Sequence, residues 1–268
     1  MTAPPAAGSG RPLVWIGTSW KMNKTIPEAR DYIDELLATP PPPGVQLFVL
    51  PAHTALAAVR DKLPPASPIL LGAQDAHWAA EGAWTGAVSM RMVKDAGATI
   101  VEIGHSERRS YFGETDEVVA WKARAAVDHG LVPLICVGEP LAVREAGDAA
   151  RFVVAQARAA TALLRPEEIG TALVAYEPVW AIGAGGRPAT PQEVAQPLAA
   201  LAGVLADITG GTGCRALLYG GGVDVANAAG LLAAPHVQGL FVGRQAWQAR
   251  GLRELAAIGA VPGGGTGG

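Results

Sequence analysis

The chain has 268 residues, half of them hydrophobic and 17% charged, with a formal net charge of −3. That length holds one large domain or two small ones, and the mild negative charge argues against nucleic acid or an anionic membrane as the main partner while leaving room for a local anion site. No apolar run approaches the roughly 18 residues of a membrane span, and residues 1–12 lack the basic-then-apolar plan of a secretory signal.

Residues 1–12 and the glycine-rich 258–268 are expected to be a disordered leader and tail around a single domain, 13–257. The first short apolar run, 13–17, leads into Thr18-Ser-Trp-Lys-Met-Asn23, so Lys21 follows a predicted strand. Taken alone, a lysine there is more often a solvated surface residue. A helix over 28–37, a strand over 46–50, a helix over 54–62, a strand over 69–73 and a helix over 90–96 come next. The strand 99–104 ends at Gly104-His-Ser-Glu-Arg-Arg109. His105 sits at a strand-to-helix junction, where the positive end of a short helix disfavours imidazolium. A neutral ring there can hydrogen-bond a carbonyl and pass protons between oxygens; a capping or packing histidine is the equal alternative. Arg108 and Arg109 are expected in a structural ion network.

A helix over 117–129 starts behind Thr115 with Asp116 and Glu117 in its first turn. Strand 131–137, helix 148–164 and strand 171–176 follow. Glu177 closes the last of these, beside Pro178 and apolar neighbours, where a raised pKa would suit a general base; the other reading is a hydrogen-bonded structural carboxylate. Thr190-Pro-Gln-Glu193 combines a Thr cap, Pro at the first helical position and Glu three after the cap, opening a helix over 191–208. Strand 214–219 runs into Tyr219-Gly-Gly-Gly-Val223, a helix covers 225–232, and strand 237–242 runs into Gly243-Arg-Gln-Ala-Trp247 before a final helix, 246–257. Glycines after the last two strands let backbone N–H groups approach an anion.

Several strands are apolar on successive residues, as parallel strands covered on both faces are. Eight strand–helix alternations in this length predict a (β/α)8 barrel, with a doubly wound open sheet as the alternative. In both, ligands sit beyond the carboxyl ends of the strands. A base, a neutral hydrogen-bond donor, a cation and an anion cradle at that rim fit proton transfer next to a carbonyl on a small phosphorylated molecule.

From Leu13 to about Leu255 the sequence resembles the triosephosphate isomerase family, through Trp20-Lys-Met-Asn23, Gly72-Ala-Gln74, Gly82-Ala-Trp-Thr-Gly86, Gly104-His-Ser-Glu-Arg-Arg109, Cys136-Val-Gly-Glu139, Ala175-Tyr-Glu-Pro-Val-Trp-Ala-Ile-Gly183 and Tyr219-Gly-Gly221. The pairing of a carboxylate base with a neutral histidine is this family's own known pattern and comes with the resemblance. It implies a single TIM barrel with Glu177 as base, His105 as neutral electrophile and Lys21 as electrostatic stabiliser, needing no metal or organic cofactor. It further implies Gly183, Gly222 and Gly243 against the phosphate, residues 178–189 as a mobile lid that excludes water, and a homodimer in which 74–86, with Gln74 and Thr85, docks into the partner.

The departures lie at the substrate end. Ser19 stands where the family usually has Asn, Gly222 where it has Ser, Gly243-Arg244 where it has Gly-Gly, and Gly185-Gly-Arg-Pro188 lengthens the lid. His77, Trp78 and Trp84 are unusual in the dimer loop. The implied reaction is interconversion of glyceraldehyde 3-phosphate and dihydroxyacetone phosphate, with a place in glycolysis and gluconeogenesis. The departures are also similar to a branch acting on L-erythrulose 1-phosphate, because Ser at 19 frees volume for an extra hydroxymethyl group. A catalytically silent binding barrel is the remote third reading, since fold alone never proves function.

Overall fold

Eight short strands, each too apolar to leave either face in water, pair side by side in chain order and close on themselves. They are β1 (Val14–Ser19), β2 (Val45–Leu50), β3 (Ile69–Ala73), β4 (Ile100–Ile103), β5 (Val132–Val137), β6 (Leu173–Tyr176), β7 (Ala216–Tyr219) and β8 (Gly239–Val242). All pairings are parallel, and β1 meets β8 with Trp15 opposite Gly239. The computed structural model describes residues 13–183 and 185–260. The expected leader and residues 261–268 of the expected tail lie outside the described residues.

The helices are α1 (Ile26–Leu37), α2 (Leu56–Lys62), α3 (Met90–Asp95), α4 (Ser106–Phe112), α5 (Asp116–Asp128), α6 (Leu141–Glu145), α7 (Ala149–Thr161), α8 (Pro166–Ile169), α9 (Pro191–Ile208), α10 (Ala228–Leu232) and α11 (Ala249–Ala260). The closed parallel barrel with helices outside it is the (β/α)8 architecture that the alternation predicts, and not an open sheet. Its last helix runs to Ala260, three residues past the expected domain end.

Side chains alternate in and out along each strand. One set, including Trp15, Phe48, Ile100, Leu134, Leu218 and Phe241, fills the barrel interior. The other, including Ile16, Val49, Val101 and Leu217, packs against the helices. The predicted caps form: the Thr115 hydroxyl accepts from the Val118 N–H at 3.3 Å, and Glu193 accepts from the Thr190 N–H at 2.9 Å. One charged cluster is buried under the rim. The ammonium of Lys122 reaches Asp75 and Glu114 at 2.5 Å each, and Arg108 reaches the same two carboxylates at 3.2 and 2.7 Å. Pairing with opposite charges is what lets such groups leave water, although Glu114 Oε2 has no hydrogen-bond partner. The ion network expected for Arg108 and Arg109 is present, with Arg109 held by Asp116 at 2.6 Å and donating to the Gly104 carbonyl.

Candidate active site

A cavity of about 610 Å³ opens at the carboxyl ends of the strands. Lys21, His105 and Glu177, from the ends of β1, β4 and β6, line it together. Lys21 has φ 53°, a left-handed conformation that a side chain enters only under constraint. The constraint is visible: the Gln74 amide donates to the Lys21 carbonyl at 2.9 Å and to the Leu50 carbonyl at 3.0 Å. The ammonium points to Glu107, 2.5 Å away.

His105 caps α4. Its Nδ1 accepts from the Glu107 N–H at 3.1 Å, which leaves the ring hydrogen on Nε2, facing the cavity. Burial first, and then the Lys21 charge, pull its pKa down to about 4. The ring is therefore neutral at pH 7, as the junction suggested, but desolvation rather than the helix end is the larger cause. Glu177 is 3% exposed, and its Oε2 lies 3.6 Å from His105 Nε2 without a hydrogen-bond partner. Burial pushes its pKa up to about 8, against the opposing pull of Lys21. Two glycines make room for it. A methyl group on Gly138 would lie 1.8 Å from the Glu177 carbonyl oxygen, and one on Gly220 would lie 2.7 Å from its Cγ. No side chain fits either place.

The opposite wall is backbone. Gly183, Gly220, Gly221, Gly222 and Gly243 line it together with Arg244. The Arg244 guanidinium donates to the Gly183 carbonyl at 2.9 Å, tying the turn after β8 to the segment after β6. Gly222 lies close under the same segment, for a methyl group there would stand 3.0 Å from the Ala181 carbonyl. Trp180 is clamped between the guanidinium groups of Arg144 and Arg187, 4.2 and 4.8 Å from its ring, and donates to Glu139 at 2.7 Å. Glu193, at the start of α9, takes both Arg144 and Arg187.

Three further expected residues, Ser19, Gln74 and Thr85, do not line this cavity in the single chain. Ser19 belongs to β1, which runs two residues further than its apolar run; it is 6% exposed and lies beneath the cavity rather than on its wall. Gln74 braces Lys21 within its own chain, whereas Thr85 is exposed. A residue that the sequence reading passed over sits beside Ser19. Glu102, in β4, is 2% exposed, with Oε1 4.0 Å from His105 Nε2. It is the one charged residue in the eight strands, but the predicted strand 214–219 also holds Arg215, so the sequence alone does not single it out. Burial, and then the Glu177 charge, raise its pKa well above the ordinary carboxylate range, while the neighbouring Ser19 hydroxyl works against them. The space that Ser19 vacates is thus bordered by a carboxyl group.

Comparison with known proteins agrees with this geometry. The family profile described as triosephosphate isomerase matches residues 14–258. The chain is 52% identical over 262 residues to a Mycolicibacterium smegmatis protein named L-erythrulose-1-phosphate isomerase, covering 95% of this chain and 97% of that one. Proteins of the same name from Rhizobium rhizogenes and Brucella abortus are 45% and 46% identical, covering 92% and 91% of this chain and 94% and 95% of theirs. The profile spans the barrel from β1 into α11 and these relatives each cover more than nine-tenths of the chain, and on that extent the chain belongs to the triosephosphate isomerase family of sugar-phosphate isomerases.

Proposed function

We propose that this isomerase interconverts L-erythrulose 1-phosphate and D-erythrulose 4-phosphate. The observation that carries the chemistry is Glu177 Oε2 facing the Nε2–H of a neutral His105 across 3.6 Å of one cavity. The choice of a four-carbon substrate is supported by relatives of that name at 45–52% identity and by the changes at Ser19, Gly222 and Arg244. The triose reaction and its place in glycolysis draw no support from those relatives.

In this reading Glu177 removes the proton from C3, next to the C2 carbonyl. The Nε2–H of His105 hydrogen-bonds the carbonyl oxygen, and Lys21 stabilises the negative charge that develops there. The ring gives its proton to that oxygen and recovers one from the C3 hydroxyl, so the enediolate charge crosses between the two oxygens. Protonated Glu177 then returns its proton to C2, leaving the carbonyl on C3. Gly183, Gly222, Gly243 and Arg244 take the phosphate, and residues 178–189 act as the lid that keeps water from the enediolate. The two unpaired thiols suit a reducing, cytoplasmic setting.

The test is kcat/KM on both phosphosugars. A preference for L-erythrulose 1-phosphate of at least about tenfold is expected, within the range that one small group supplies. A preference for the triose overturns the substrate, and no turnover of either overturns the enzyme reading.

A further inference from the structure

Among the inward-facing strand residues of the barrel, Glu102 is the one that carries a carboxyl group; Ser19 and Gln46 are polar but uncharged. Glu102 shares the inward parity of Ile100 on β4, so its side chain enters the space between Ser19 and His105 instead of facing the helices. It lies on none of the surface that the cavity exposes. The titratable groups around it come from four elements: Lys21 after β1, Glu107 in α4, His105 after β4 and Glu177 after β6. Cys136 of β5 feels both carboxyls. One ammonium thus serves three carboxyl groups, and it is already 2.5 Å from Glu107.

Resting on the isomerase reading above, we propose that Glu102 is a positioning residue of the reaction: its carboxyl fixes the Ser19 hydroxyl and backs the His105 Nε2–H, and so sets where the substrate oxygens come to rest. The Nε2–H faces two carboxyls, Glu177 at 3.6 Å and Glu102 at 4.0 Å. An oxygen hydrogen-bonded to Nε2 at about 2.9 Å can lie within reach of both. The two groups have different tasks. Glu177 must ionise to act as a base. Glu102, away from the cavity wall and with the cation already engaged, is the one that stays protonated, because two buried carboxylates cannot share one site cheaply. A protonated carboxyl both donates and accepts, as a carboxamide does.

Glu102→Leu and Glu102→Gln, assayed beside wild type on whichever phosphosugar wild type turns over, test this. Glu102→Leu removes a costly buried carboxyl but leaves the Ser19 hydroxyl without its partner, so it is expected to stay folded and to melt close to the wild-type temperature. Its kcat is expected to fall roughly 30-fold or more with KM moved less than about threefold, as for a loss of positioning. Glu102→Gln, which keeps a neutral donor and acceptor, is expected to recover kcat to within about fivefold and to leave the acid limb of kcat/KM in place. A folded Glu102→Leu protein with wild-type kcat overturns the inference. So does a Glu102→Gln protein as slow as expected for Leu, or one whose acid limb moves, since Glu102 would then carry charge. Absence of wild-type turnover on either phosphosugar overturns the reading and the inference together.

Discussion

Glu177 joins two properties that work against each other, burial and the need to ionise. The folded chain holds a proton on it up to about pH 8 that the unfolded chain releases near the ordinary carboxylate value of 4.5. This group therefore subtracts stability as pH rises through that window, and the full cost is present above it. Two consequences are measurable in one variant. Wild-type kcat/KM should climb with pH to a limb near 8, since only the carboxylate takes a proton. Glu177→Gln should lose about 10³-fold or more in kcat, yet melt higher than wild type at a pH above that limb, with the gap closing towards pH 5. Equal melting temperatures at both pH values would show that the carboxylate is not desolvated. Lys21, His105 and Glu177 were legible because each follows an apolar run within a motif. Glu102 was not, because a residue inside such a run reads as part of the strand, and only the surrounding barrel reveals the company it keeps.

Elements differ in how plainly they announce themselves. The strands were legible from runs of Val, Ile and Leu, and α9 from its cap and prolines. By contrast α4 and α6 bury no residue, so they leave no periodic apolar stripe, and α8 is a single turn. The last helix begins at Ala249 rather than 246 because the tight turn Arg244–Ala246 occupies those residues. That turn presents Arg244, whose guanidinium donates across to the Gly183 carbonyl. If it helps to hold the lid segment over a phosphate, Arg244→Ala should raise KM about tenfold, the worth of one exposed charge-assisted hydrogen bond, with a smaller loss in kcat. Unchanged steady-state constants would reduce the contact to a surface tie.

At the scale of the molecule, the 74–86 segment carries more apolar surface than a solvated loop needs. Trp84 is 49% exposed and packs with His77 and Trp78 at ring distances of 4.3 and 5.6 Å. A groove of about 410 Å³ lies beside it between His53, Asp75, His77, Phe112 and Lys122, and Phe112 and Tyr111 are 66% and 79% exposed. Apolar patches of this kind mark interfaces. We expect light scattering to give twice the chain mass, and Trp84→Asp to give a single chain mass with kcat at least about tenfold lower, since Gln74 in the same segment braces Lys21. A wild-type monomer with full turnover would sink the dimer.

Because β1 pairs with β8, the strand made first waits for the strand made last. On the ribosome, at about 5–20 residues per second, Lys21 emerges some ten seconds or more before Gly243. Throughout that interval β1 has a bare edge open to any passing strand. Synthesis therefore delivers cation, histidine and base before Gly220–Gly222 and Gly243 of the glycine wall, and a chain stopped short of β8 is an unsealed sheet rather than a slower enzyme.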